Sequence, residues 1–81
     1  MKIIFSKQAL KFLSLQDAKT AKRIIDAIEN NLSEKPFKGD IKVLKAREEL
    51  RLRVRNMRVI FMVKDNEVHI LTIGYRGDVY K

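Results

Sequence analysis

The stretch from Glu49 to Val63, ELRLRVRNMRVIFMV, constrains the fold more than any other part of the chain. Leu50, Leu52 and Val54 alternate with Arg51, Arg53 and Arg55. A period of two is the repeat of a strand, so one face is apolar and the other cationic. Arg58 then opens Val59–Val63, a run apolar on both sides, as expected of a strand buried within a sheet. The short polar break Arg55-Asn56-Met57 predicts a hairpin between the two. Arginines at i and i+2 on one strand face lie roughly 7 Å apart. At that distance two guanidinium groups repel by about 0.6 kcal/mol in water, and by about 2 kcal/mol at an effective dielectric of about 20. Soluble outer faces usually mix charge signs. Between Leu50 and Arg58 there are four Arg and no acidic residue. The face is therefore either simply solvated or a platform for a polyanion.

The rest of the chain supplies what such a hairpin needs. Lys2–Phe5 (KIIF) is long enough for one strand. Ser6 is placed to cap a first helix in which Ala9, Phe12 and Leu13 fall on one side. Asp17 is placed to cap a second helix running to about Leu32. Ala21, Ile24, Ile25, Ile28 and Leu32 form its apolar stripe, while Lys22 and Asp26 are spaced to pair at i, i+4. Asn30-Asn31, Ser33 and Pro36 end that helix, and Pro36–Asp40 is a loop. Ile41–Leu44 is a short extended segment, Asp65-Asn66 a two-residue turn, and Glu67–Ile73 the last strand. The expectation is an α+β fold of order β-α-α-β-β-β. A two-helix hairpin packs on one face of a small, mainly antiparallel sheet, and the arginines occupy the other face.

Length and composition exclude several classes of function. Eighty-one residues make one domain, 1–81, with no room for a second core. A charged fraction of 35% excludes a membrane span, and no Cys is present to build a disulfide or thiolate metal site. The N-terminus lacks the features of a signal peptide, so the default location is cytoplasmic. Eighteen Lys and Arg against ten Asp and Glu leave +8, a surplus that favours anionic partners. His69 is the only histidine and sits mid-strand, which argues for a structural role. No P-loop, dinucleotide fingerprint or nucleophilic triad is present, and no cofactor or metal is expected.

What remains is an arginine-rich set, Arg51, Arg53, Arg58 and Arg76, with Tyr75 and Tyr80 near the C-terminus. Arginine presents a planar fork matched to phosphate oxygens. Tyrosine can stack on an unpaired base, at roughly 1–3 kcal/mol per base. Metal-free chemistry compatible with the set is attack of an RNA 2′-hydroxyl on its neighbouring phosphate, with the cations stabilising the phosphorane oxygens. Arginine stays protonated, so the general base must be another group. On the residues alone, the set supports binding of an RNA or DNA backbone better than cleavage.

The hairpin LRLRVRNMRVIFMV, followed by a strand ending in IGYRGDVY, resembles the RelE/ParE superfamily of bacterial and archaeal toxins. Members show an RLRVGDYRVIY-like hairpin and a GHRxxVY-like tail, and the family's element order is the one expected above. The resemblance implies a RelE-like toxin of a type II toxin–antitoxin pair. RelE-like members are ribosome-dependent mRNA endonucleases that leave a 2′,3′-cyclic phosphate and a 5′-hydroxyl. ParE-like members share the fold but act on DNA gyrase, and a degenerate member would serve only as an antitoxin-bound repressor subunit. The implied catalytic residues are Arg51, Arg53, Arg58, Arg76 and Tyr80. The implied partners are an acidic RelB-like antitoxin, the ribosome and mRNA. Operator DNA would be met only through the antitoxin complex, and no membrane is involved. Arg51 and Arg53 stand where RelE has lysines, which leaves Tyr80, His69, Glu48 and Glu49 as candidates for the base. Arg55 replaces the usual turn glycine.

Overall fold

The computed structural model describes residues 1–44 and 48–75. Strand β1 (Lys2–Phe5) leads into helices α1 (Lys7–Ser14) and α2 (Ala18–Leu32), then strands β2 (Asp40–Val43), β3 (Leu50–Val54), β4 (Met57–Lys64) and β5 (Glu67–Tyr75). Both helices start where the capping residues predict. Ser6 Oγ accepts from the Ala9 N–H at 3.1 Å, and Asp17 Oδ1 accepts from the Thr20 N–H at 2.7 Å. Each bond satisfies a backbone donor that the first helical turn leaves without an intrahelical partner.

The five strands form one sheet in the order β1-β5-β4-β3-β2, with β1 parallel to β5 and every other pairing antiparallel. The apolar run of β4 lies in the middle of the sheet, as its two-sided hydrophobicity requires. Both helices cover one face. Ala9 and Leu13 of α1 and Ile24, Ile28 and Leu32 of α2 join Leu52, Val54, Val59, Phe61, Val68, Ile70 and Ile73 in one core. Phe37, from the loop after α2, meets Phe61 edge-on at 5.8 Å, an arrangement that adds about 0.5–1.5 kcal/mol to simple burial.

Several boundaries differ from the sequence expectation. The hairpin break is only Arg55-Asn56, because Met57 is buried and begins β4. Strand β5 continues two residues past Ile73, to Tyr75. The loop into β2 turns on Gly39, whose φ of 91° suits glycine. A Cβ there would also come within 3.0 Å of Leu52 Cδ1 and 3.1 Å of Asn31 Oδ1. This close approach delivers Asp40 to the edge of the sheet beside the arginine strand.

Candidate functional site

Strand alternation places Leu50, Leu52 and Val54 toward the helices and Arg51 and Arg53 on the opposite face. On β4 the same rule places Arg58 and Ile60 on that opposite face, where Ile60 is only 5% exposed. Register then aligns them. Arg53 stands directly across from Arg58, with Asp40 of β2 on one side and Gly74 of β5 on the other. The next row along the strands is Lys42, Arg51, Ile60 and Thr72. Arg53 therefore lies between the carboxylate of Asp40 and the guanidinium of Arg58. Arg53 is exposed and Arg58 half-buried. Guanidinium forks on neighbouring strands suit an oxyanion such as phosphate.

Arg51 and Arg53 share this face but not an environment. The sequence alone suggests that both point into solvent, and for Arg51 this is corrected by the structure. Arg51 is only 7% exposed, and its Nη2 donates to Asp40 Oδ1 at 3.2 Å. The bond ties edge strand β2 to β3 and engages one face of the guanidinium. Asp40 was not singled out by sequence reasoning. The only signal for it is that DIKV pairs antiparallel with LRLR, which places the carboxylate in the arginine row.

Other expected participants lie elsewhere. Tyr75 packs on the helix side of the sheet, with its ring edge-on to Phe12 at 5.5 Å and its hydroxyl 3.1 Å from Gln16 Oε1. It cannot stack on a base held at the arginine face. His69 is half-buried across from Met62, with Nε2 3.4 Å from Glu67 Oε1. Gly74 lies five positions further along β5, roughly 15 Å along the strand, too far for proton transfer at the arginine pair. Glu48 and Glu49 precede Leu50, at the end of β3 away from Arg53. Arg76 and Tyr80 lie outside the described residues.

Fold and site together define a small α+β protein that covers one sheet face with two helices and carries its strand arginines on the other. The family model for the ParE toxin of type II toxin–antitoxin systems matches residues 3–80. The chain belongs to that family, and so to the RelE/ParE superfamily of toxins. Among solved structures it is similar to the toxin fold in the RelB–RelE antitoxin–toxin complex of Methanococcus jannaschii, with 24% identity and a TM-score of 0.75 over 96% of this chain and 95% of that one. Isolated RelE toxin of E. coli gives 18% identity and a TM-score of 0.73 over 98% and 89% of the two chains. The YoeB–YefM toxin–antitoxin complex of Staphylococcus aureus gives 26% and 0.66 over 94% and 97%. No curated protein sequence matches.

Proposed function

We propose that this toxin is a ribosome-dependent mRNA endonuclease that arrests translation and is held inactive by an acidic, RelB-like antitoxin. The observation that carries the proposal is the Arg53–Arg58 pair, two cations directly opposite on the sheet face away from the helices. Two guanidinium forks on adjacent strands are matched to the oxygens of a phosphate. In the reaction, a 2′-oxygen bonds to the adjacent phosphorus while the bond to the 5′-oxygen breaks. The products are a 2′,3′-cyclic phosphate and a 5′-hydroxyl. The 2′-hydroxyl proton passes to a base and the leaving 5′-oxygen takes one up. Arg53 and Arg58 hold the phosphate, and charge that builds on the phosphorane oxygens strengthens those contacts in the transition state. Arg76 is assigned a further share of that charge, and Tyr80 the proton relay.

An acidic antitoxin suits the +8 chain, and its occupation of the face away from the helices would cover the same arginines. A second reading, a toxin directed at DNA gyrase, is favoured by the ParE description of the matching family model. Induction in growing cells separates them. Loss of protein synthesis with cut ribosome-bound mRNA is expected; loss of DNA replication with intact mRNA would replace the nuclease by the gyrase reading. With purified protein on programmed ribosomes, Arg76→Ala should slow single-turnover cleavage by about 10²–10³ while ribosome affinity changes far less.

A further inference from the structure

Strand β5 does not alternate regularly. Val68 and Ile70 enter the core two residues apart, but the next core residue is Ile73, three further on. Pairing with β4 explains the irregularity. Phe61 faces Ile70 while Ile60 faces Thr72, so Leu71 is an extra residue without a direct partner. A one-residue bulge reverses the side-chain phase of everything beyond it. This reversal puts Ile73 into the core and Gly74 across from Arg58. In an unbulged strand the register of Phe61 with Ile70 would continue, and Ile73 would face Arg58 instead.

The bulge is held from the other end of the chain. Strand β1 stops pairing with β5 at Phe5 and Ile70, and the first turn of α1 takes over. The Ser6 N–H donates to Ile70 O at 2.9 Å, and Ser6 Oγ donates to Leu71 O at 2.7 Å. Gln8 then does with one side chain what a neighbouring strand would do. Its Nε2 donates to Ile73 O at 3.1 Å, and its Oε1 accepts from the Ile73 N–H at 3.0 Å. Ser6 is needed to cap the helix in any case, but nothing in α1 itself requires a glutamine at position 8. Its amide matches both backbone groups of Ile73, the residue whose phase the bulge decides.

We infer that Gln8 is a positioning residue. Together with Ser6 it locks the bulge at Leu71, keeping Gly74 rather than a bulky isoleucine beside Arg58, so that the Arg53–Arg58 pair can receive a phosphate. The identity of that ligand rests on the proposed nuclease function; the geometry does not.

The test uses isotope-labelled full-length protein and a 2′-O-methyl oligoribonucleotide, which binds but offers no attacking hydroxyl. Gln8→Leu keeps the side chain's bulk and removes both hydrogen bonds. Amide exchange at Ile73 should rise about tenfold relative to wild type, the scale of losing one well-made hydrogen bond. Cross-peaks from the Ile73 methyls should spread from the core toward Ile60 on the opposite face, and oligonucleotide affinity should fall about fivefold. Gln8→Glu supplies the rescue, and serves if the leucine variant does not fold. A protonated carboxyl both donates and accepts, so at about pH 4 this variant should match wild-type protection at Ile73 measured at the same pH. At neutral pH the carboxylate can only accept, and the protection should drop. Unchanged Ile73 exchange in Gln8→Leu would overturn the inference, as would loss of protection with core contacts and affinity both intact. If the wild-type protein cuts no ribosome-bound mRNA, the nuclease function fails on its own. The exchange and contact measurements still decide the role of Gln8.

Discussion

Arg51 and Arg53 sit two residues apart on one strand face, yet one is buried against Asp40 and the other is exposed. Their substitutions should therefore separate stability from binding. Arg51→Gln removes a buried charge-assisted bond and should cost about 1–3 kcal/mol in denaturant unfolding. The salt dependence of oligoribonucleotide binding should change little. Arg53→Gln should leave stability within about 0.5 kcal/mol. It should also reduce the slope of log affinity against log salt by about 0.7, the share of one phosphate contact on a single strand. Identical behaviour of the two variants would show that the Asp40 contact does not divide their roles.

At the scale of elements, two turns and one helix cap carry distinct consequences. The β4–β5 turn is made by Asp65 and Asn66, with φ of 54° and 60°, a left-handed pair suited to the twist of a hairpin and tolerated by these residue types. The β3–β4 turn forces Arg55 to φ 56°, a conformation that opposes its Cβ to the backbone at a cost of about 1–2 kcal/mol. Arg55→Gly should raise stability by about 0.5–1 kcal/mol, less than the strain relieved because glycine's extra freedom when unfolded opposes folding. Thermal unfolding at neutral pH measures it, and a lower midpoint would count against strain at this turn.

Asp17, at the start of α2, is held below the ordinary aspartate range, first by its side-chain hydrogen bond with Thr20 and then by the Thr20 backbone N–H. A carboxyl whose folded pKa is depressed binds fewer protons folded than unfolded, so stability rises with pH across the interval between the two values. The contribution is fully present above the unfolded pKa of about 4 and is lost as pH falls through the lower folded value. Asn caps about as well as Asp but does not titrate. Asp17→Asn should keep stability near wild type at pH about 7 and flatten its decline between pH of about 5 and 2, read from denaturation midpoints.

For the whole molecule, the dominant quantity is the +8 surplus, part of it concentrated on a sheet face that the helices do not cover. A field of that kind steers an acidic partner during approach more than it adds to final affinity. Association of the purified toxin with the proposed acidic antitoxin should therefore slow markedly between low and high salt, while dissociation changes less. A rate constant insensitive to ionic strength, measured by stopped flow, would remove the electrostatic part of the proposal.

What the sequence by itself determined was local. Ser6 and Asp17 mark their helix starts through bonds three residues long, and the stripe Ile24, Ile28 and Leu32 follows from helical spacing. The alternation through Leu50–Val54 assigns its two faces because successive strand residues point oppositely. Those features need only neighbours in the chain. Tertiary structure decided everything that depended on a distant partner. The bond from Arg51 requires Asp40 to arrive on β2, after the close turn at Gly39. Strict alternation from Val68 and Ile70 would have put Thr72 in the core; Ser6 and Gln8, sixty-five residues away, hold the bulge that puts Ile73 there instead. The same shift turns Tyr75 toward Phe12 and away from the arginines. Period and propensity act over one turn or one strand, whereas register and phase are set by hydrogen bonds between elements that meet only when the chain folds.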